Sequence, residues 1–272
     1  MQPRALILHA TGTNRDLEVA QAIKLAGGQP EIVHLNQLRQ GERHWDEYQL
    51  LVLPGGFSYA DALGAGKLFA LDLQIYFAGE VGAFVASGKP VLGICNGFQA
   101  LVKAGLLPGV GSLPTGTSSQ AGSEAVRESQ ATLTFNASGR FECRWVALAA
   151  CSQRCLWTQG LSAPIECPVA HGEGNFVLAN PAGLDRLRAQ EQIALVYANP
   201  DGSPANGEYP QNPNGSSADI AGVCNPQGNV LGLMPHPEDH IFSYQHPRWT
   251  RHAAGHSGLP LFINGVRHAA QI

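Results

Sequence analysis

The chain has 272 residues, 44% of them hydrophobic and 14% charged, with a formal net charge of −4. That is enough apolar sequence to bury a large core, and the charge balance leaves no basic footprint for nucleic acid. No apolar run approaches the roughly 20 residues of a membrane span, and Met1 to His9 runs into a strand pattern without a signal-peptide cleavage site.

Ala5 to His9 reads as a short strand ending in the polar turn Ala10 to Asn14. Asp16 to Ala26 has helical spacing, with Asn14 or Asp16 to cap it and Gly27-Gly28 to stop it. Glu31 to Leu35 is a second strand, and Tyr48 to Pro54 is a third, apolar enough to be central. It runs into Gly55-Gly56-Phe57-Ser58, where paired glycines let the backbone come close to a ligand and aim N–H groups at an anion. One long helix is expected from about Leu63 to Ser87. Val91 to Ile94 then reads as a buried strand and Asn96 to Val102 as a helix. From Leu106 to about Pro164 the pattern loosens into a surface loop (Thr115 to Ser123) and two antiparallel strands, Ala131 to Phe135 and Phe141 to Leu148. A strand from Cys167 leads into the glycine-spaced turn His171-Gly-Glu173-Gly-Asn175. Ile193 to Ala198 is a strand and Asn199 to Gly215 a loop. Ile220 to Val223 and Val230 to Met234 are two strands joined through Asn225 to Gly228. His240, His246, His252, His256 and His268 are read as solvent-facing in a polar tail. Strands alternating with helices imply an α/β fold, a doubly wound and mostly parallel sheet with added antiparallel strands, whose ligands bind at the carboxyl ends of strands.

The chemistry concentrates in Gly93-x-Cys95-x-Gly97, a cysteine version of the strand–turn–helix nucleophile elbow. The following helix points its free N–H groups and positive dipole end at the sulfur, which favours the thiolate, the form that attacks carbonyl carbon. An isolated cysteine between two glycines is more often a buried core residue; the elbow context reverses that preference. A cysteine nucleophile needs a histidine to take and return protons and a carboxylate to orient it. His236-x-Glu238, in Met234-Pro-His-Pro-Glu238, sits at a strand end as the elbow does, so the two motifs are expected to meet at one edge of the sheet. His171 and Glu173 are left open as a catalytic pair, a metal pair, or residues of structural or partner-facing role. Gly64-Ala-Gly66-Lys67 lacks the spacing of a phosphate loop. Cys143, Cys151, Cys155 and Cys167 lack the close pairs of a structural zinc site, and all six cysteines, with Cys95 and Cys224, are expected to stay reduced in the cytoplasm.

Five stretches carry a resemblance: Gly93-Ile-Cys95-Asn-Gly97-Phe-Gln99 with Gly105 to Gly109, Ala170-His-Gly-Glu-Gly-Asn175, Asn212-Pro-Asn-Gly-Ser216, Gly232-Leu-Met-Pro-His-Pro-Glu238, and Gly55-Gly-Phe-Ser-Tyr59. They resemble the glutaminase subunits of phosphoribosylformylglycinamidine synthase, within the class I (triad) glutamine amidotransferases. The resemblance implies a flavodoxin-like sheet in a single amidotransferase domain spanning 1–272, with a loop and strand insertion around 110–165. It implies a Cys95–His236–Glu238 triad, an oxyanion held by N–H groups of Gly56 (or Phe57) and Asn96 beside Gly55, and a Gln99 that helps position glutamine. Ammonia would pass to a synthetase subunit, with a small bridging subunit as a further partner in some assemblies. ATP and Mg²⁺ would belong to that synthetase, and no cofactor, metal, nucleic acid or membrane is implied for this chain. The resemblance leaves two rivals: a non-catalytic assembly subunit, and a cysteine-elbow hydrolase of another branch, which would lack the late Pro-His-Pro-Glu. Three positions depart from the family pattern. Ala60-Asp61 and Leu63-Gly64 lack a family arginine, Arg15 stands where cysteine is common, and Asp239 replaces the usual arginine after Pro-Glu.

Overall fold

The computed structural model describes residues 2–109, 130–251 and 257–272. In chain order the elements are β1 (Arg4–His9), α1 (Asp16–Leu25), β2 (Gln29–His34), α2 (Leu35–Arg39), β3 (Leu50–Leu53), α3 (Lys67–Tyr76), α4 (Ala78–Ala86), β4 (Val91–Ile94) and α5 (Asn96–Lys103). They continue with β5 (Ala131–Thr134), β6 (Glu142–Ala150), β7 (Ile165–His171), β8 (Asn175–Leu178), α6 (Ala182–Ala189), β9 (Ile193–Ala198), β10 (Ile220–Cys224), β11 (Val230–Leu233) and α7 (Leu259–Ala269).

Nine strands form one sheet in the order β2-β1-β3-β4-β11-β10-β9-β6-β7. The first five pair in parallel, in the flavodoxin-like order 2-1-3-4-5 with β11 as the fifth strand. The last four add antiparallel, and β5 and β8 form a separate antiparallel pair. β3, β4 and β11 are buried at every residue, which is why they read as continuous apolar runs rather than alternating ones. Two helix pairs cover them: α1 with α7 over β1 to β3, and α3 with α5 over β3, β4 and β11. The sheet and its helices are the mixed α/β architecture expected.

Three expectations need correction. The long helix is two helices bent by 87°. The chain leaves helical angles at Phe77 (φ −133°, ψ 15°), whose ring turns into the core against Trp45 at 5.4 Å between centroids. His240 and His246 are buried rather than solvent-facing, because the Trp145 ring stands edge-on against both and His246 Nε2 meets Glu166 Oε2 at 3.1 Å. His268 is half-buried, while His252, His256 and the loop Thr115 to Ser123 lie outside the described residues. The supposed polar tail also contains α7, whose Leu261, Phe262, Val266 and Ala269 form a buried stripe beneath a polar face. Short α2, β8 and α6 were not anticipated. No single helix among the described residues is long and apolar enough to cross a membrane.

Phe262 is fully buried where α7 packs, so Phe262→Ala should cost about 3–5 kcal/mol of stability. Equilibrium denaturant unfolding measures it, and a loss under 1 kcal/mol would mean that α7 is not part of the core.

Candidate active site

The turn from β4 to α5 places Cys95 at φ 49° and ψ −104°, a strained left-handed conformation for a residue with a side chain. It persists because its surroundings leave no alternative. A Cβ on Gly97 would lie 1.9 Å from the Leu53 carbonyl oxygen, so α5 can start this close to β3 only with glycine there. Cys95 is 5% exposed, and its Sγ lies 3.8 Å from the Ala170 carbonyl at the end of β7.

His236 follows β11, the parallel neighbour of β4, with Gly232 beside Gly93 and Leu233 beside Ile94. The Cys95 N–H donates to Leu233 O at 2.8 Å, so the elbow and the histidine turn are pinned at the same sheet edge. His236 Nδ1 and Glu238 Oε1 are 2.7 Å apart, at 2% and 0% exposure. The His236 Nε2 faces the Cys95 sulfur without meeting hydrogen-bond geometry in this structure. Burial alone would lower the His236 pKa; the charge of Glu238, with the neighbouring Cys95 sulfur, outweighs it and holds the imidazole well above its ordinary value. The structure brings Cys95, His236 and Glu238, expected at one edge of the sheet, into one cluster there.

Gly55 has a role that its sequence context did not show. A Cβ there would sit 2.6 Å from His236 Cε1, so this glycine leaves room for the imidazole. Gly56, at φ 143°, bridges antiparallel to Thr13. Of the two N–H donors considered for an oxyanion, that of Phe57 is already given to Gly12 O at 3.0 Å. That leaves the Gly56 N–H and the Asn96 N–H at the start of α5 as the candidate donors. The Asn96 side chain is a brace: its Oδ1 accepts from Ser58 N at 3.2 Å and from the Ser58 hydroxyl, and its Nδ2 donates to Asp61 Oδ1 at 3.0 Å and Gln99 Oε1 at 3.1 Å. Gln99, expected to help position glutamine, is tied into the same frame. It is 3% exposed, and its Nε2 donates to the Glu173 carbonyl at 2.7 Å. It therefore fixes the turn after β7.

His171 and Glu173 do not form a pair. Glu173 turns to the Ala65 N–H at 3.3 Å and to Lys103 Nζ at 3.7 Å. His171 lies at the end of β7 beside the site, with Nδ1 3.1 Å from Asn136 Oδ1 and a buried Nε2 that has no hydrogen-bond partner. Burial, reinforced by the positive charge of His236, pushes its pKa down to about 3, so this imidazole is neutral. Asn136 holds the turn through Gly174 N–H at 2.9 Å and His171 O at 2.8 Å, and Asn214 does so through Gly174 O at 2.8 Å. Asn214 lies in one of the stretches that carry the resemblance, whereas Asn136 stood out by no motif of that kind. Among the described residues no group of three His, Cys, Asp or Glu side chains is placed to hold a metal.

Residues 2–269 match the CobB/CobQ-like glutamine amidotransferase domain family. The chain is 58% identical over 244 residues to the phosphoribosylformylglycinamidine synthase subunit PurQ of Treponema denticola, covering 89% of each chain. It is 40% identical over 273 residues to the PurQ subunit of Dehalococcoides mccartyi, covering 99% of this chain and 98% of that one. Among solved structures it is similar to a chain of PurLQS from Thermotoga maritima, with a TM-score of 0.71 at 30% identity, covering 98% of this chain and 99% of that chain.

The neutral His171 has a consequence for stability. Between its ordinary 6.5 and about 3, the unfolded chain binds a proton at this residue that the folded chain refuses, so its contribution to stability falls as pH drops. His236, whose pKa is raised, acts in the opposite sense and is common to both proteins compared. His171→Gln should therefore flatten the acid limb of a stability–pH curve by roughly 2–4 kcal/mol between pH 6.5 and pH 3.5. Parallel limbs in denaturant titrations of the two proteins would show that His171 is not held neutral.

Proposed function

The chain belongs to the PurQ family of CobB/CobQ-like glutamine amidotransferases, and on that premise we propose that its Cys95, His236 and Glu238 hydrolyse glutamine to glutamate and ammonia for phosphoribosylformylglycinamidine synthase. The observation that carries the assignment is the convergence of a strained cysteine, a buried imidazolium and its carboxylate at one end of parallel strands.

The Cys95 thiolate attacks the side-chain amide carbon of glutamine, and the oxygen that becomes negative lies against the Gly56 and Asn96 N–H groups. A preorganised donor of this kind is worth about 10²–10³ in rate. His236 gives its proton to the departing nitrogen, which leaves as ammonia, and a γ-glutamyl thioester remains on Cys95. His236, now neutral, takes a proton from water as it attacks the thioester; glutamate leaves, and the thiolate and imidazolium are restored. Glu238 keeps the ring oriented and stabilises its positive form throughout. We read 1–272 as one amidotransferase domain acting in the cytoplasm. Ammonia goes to a synthetase subunit, which carries ATP and Mg²⁺ and converts formylglycinamide ribonucleotide to its amidine. The Thermotoga maritima assembly named PurLQS supports such a partner and a third, bridging subunit.

The test is glutamate release from glutamine by the purified chain, alone and with the synthetase and its nucleotides. Cys95→Ala should abolish glutamate release while leaving ammonia-dependent synthesis intact. Glu238→Gln should lower kcat by about 10²–10⁴. A Cys95→Ala complex that still performs glutamine-dependent synthesis would make the chain a non-catalytic assembly subunit.

A further inference from the structure

Two of the positions that depart from the family pattern meet in space. Arg15, in the turn before α1, reaches across to Asp239, the residue after Glu238, with Nη2 2.5 Å from Oδ2. Its other terminal nitrogen lies 3.3 Å from Glu18 Oε1. The Arg15 backbone N–H donates to Gly55 O at 3.3 Å, and its Cγ lies 3.5 Å from where a Gly55 Cβ would be. One residue thus touches both the glycine strand end and the turn that carries His236 and Glu238.

The turn depends on such an anchor. Glu238 is fully buried, yet only Oε1 is engaged, by His236; Oε2 has no hydrogen-bond partner among the described residues, and Glu238 lines a cavity of about 220 Å³ with Leu17, Glu18 and Gln21. A carboxylate held through one oxygen is oriented by its backbone, so the placement of the turn decides where His236 points. Asp239 adds a second carboxylate beside it, 14% exposed. Burial and the charge of Glu238 push the Asp239 carboxyl up to about 6, against the opposing pull of His236 and Arg15. Without Arg15, that negative charge would be left partly buried, next to Glu238.

We propose that Arg15 is a positioning residue for the glutaminase reaction, which through Asp239 locks the His236–Glu238 turn at a set distance from the Gly55–Gly56 donor strand. The proposal rests on the function given above. It concerns orientation of the imidazole rather than glutamine binding, because the Arg15 guanidinium is engaged by Asp239 and Glu18. Loss of the bridge should therefore appear in kcat and not in KM.

The experiment is a double-mutant cycle on glutamine hydrolysis in the assembled synthase, with Arg15→Met, Asp239→Asn, the double variant and Arg15→Lys. Thermal unfolding and partner binding are measured for each. Each single variant should lose about tenfold in kcat with KM within about twofold, and the double variant should lose about tenfold rather than a hundredfold, because either change already breaks the bridge. Arg15→Lys, which keeps the charge, should stay within about threefold of the parent. Asp239→Asn keeps the side-chain shape, so it decides the matter if Arg15→Met fails to fold. Single variants with parental kcat, multiplicative losses in the double variant, or a change confined to KM would each overturn the positioning role. A parent protein with no Cys95-dependent glutamate release would instead overturn the functional reading and this inference with it.

Discussion

The parallel pairing of β4 with β11 is the constraint from which the site follows. The two strands are 139 residues apart at their paired glycines, Gly93 and Gly232, yet they run side by side in one register. The ladder ends with Cys95 N–H, one residue beyond β4, on the carbonyl of Leu233, the last residue of β11. A slip of one residue would turn Cys95 or His236 to the other sheet face, since side chains alternate with a period of two. Register here is fixed by burial: all eight residues of the two strands are buried. The hydrophobic core, rather than any polar contact between the catalytic groups, aligns them.

That alignment has a cost, which is met around the elbow. Cys95 is held at positive φ, and the loop between the glycine strand end and α3 carries four more side-chain residues in the left-handed region: Tyr59, Ala60, Asp61 and Leu63. Each such residue costs of order 1 kcal/mol or more, and persists only when its surroundings over-determine it. The surroundings here are polar. Asn96 ties the first turn of α5 to Ser58, Asp61 and Gln99, and Gln99 in turn ties it to Glu173. The same network links the glycine strand, the elbow and the turn after β7, so the three walls of the site share one hydrogen-bonded frame.

The parts of this design legible in sequence were those governed by local pattern. Apolar runs at β1, β3, β4, β9 and β11 could be placed from their residues, and the elbow and Pro-His-Pro-Glu gave the chemistry. What could not be read was set by distant contacts. The helix break at Phe77 depends on Trp45, which lies 32 residues earlier in the chain. The burial of His240 and His246 depends on Trp145, across a strand pair. The tie from Gln99 to the Glu173 carbonyl depends on a residue 74 positions later. The room that Gly55 leaves for His236 could not be read either, because the two are 181 residues apart. Short α2, β8 and α6 offered too few residues to establish a period.

The two halves of the sheet make different contributions. The parallel half supplies Cys95, His236 and Gly56, all at strand ends, as doubly wound sheets do. The antiparallel half supplies β7, whose end closes the site through Ala170 and His171. This places two buried imidazoles near each other in opposite protonation states. His236, facing Glu238 and sulfur, is charged; His171, facing an amide and His236 itself, is neutral. The charge on the first helps to enforce neutrality on the second, so the difference between them is mutual. Environment divides two chemically identical side chains: in the proposed reaction the first gives its proton to the departing ammonia, and the second offers the cluster a neutral, oriented ring.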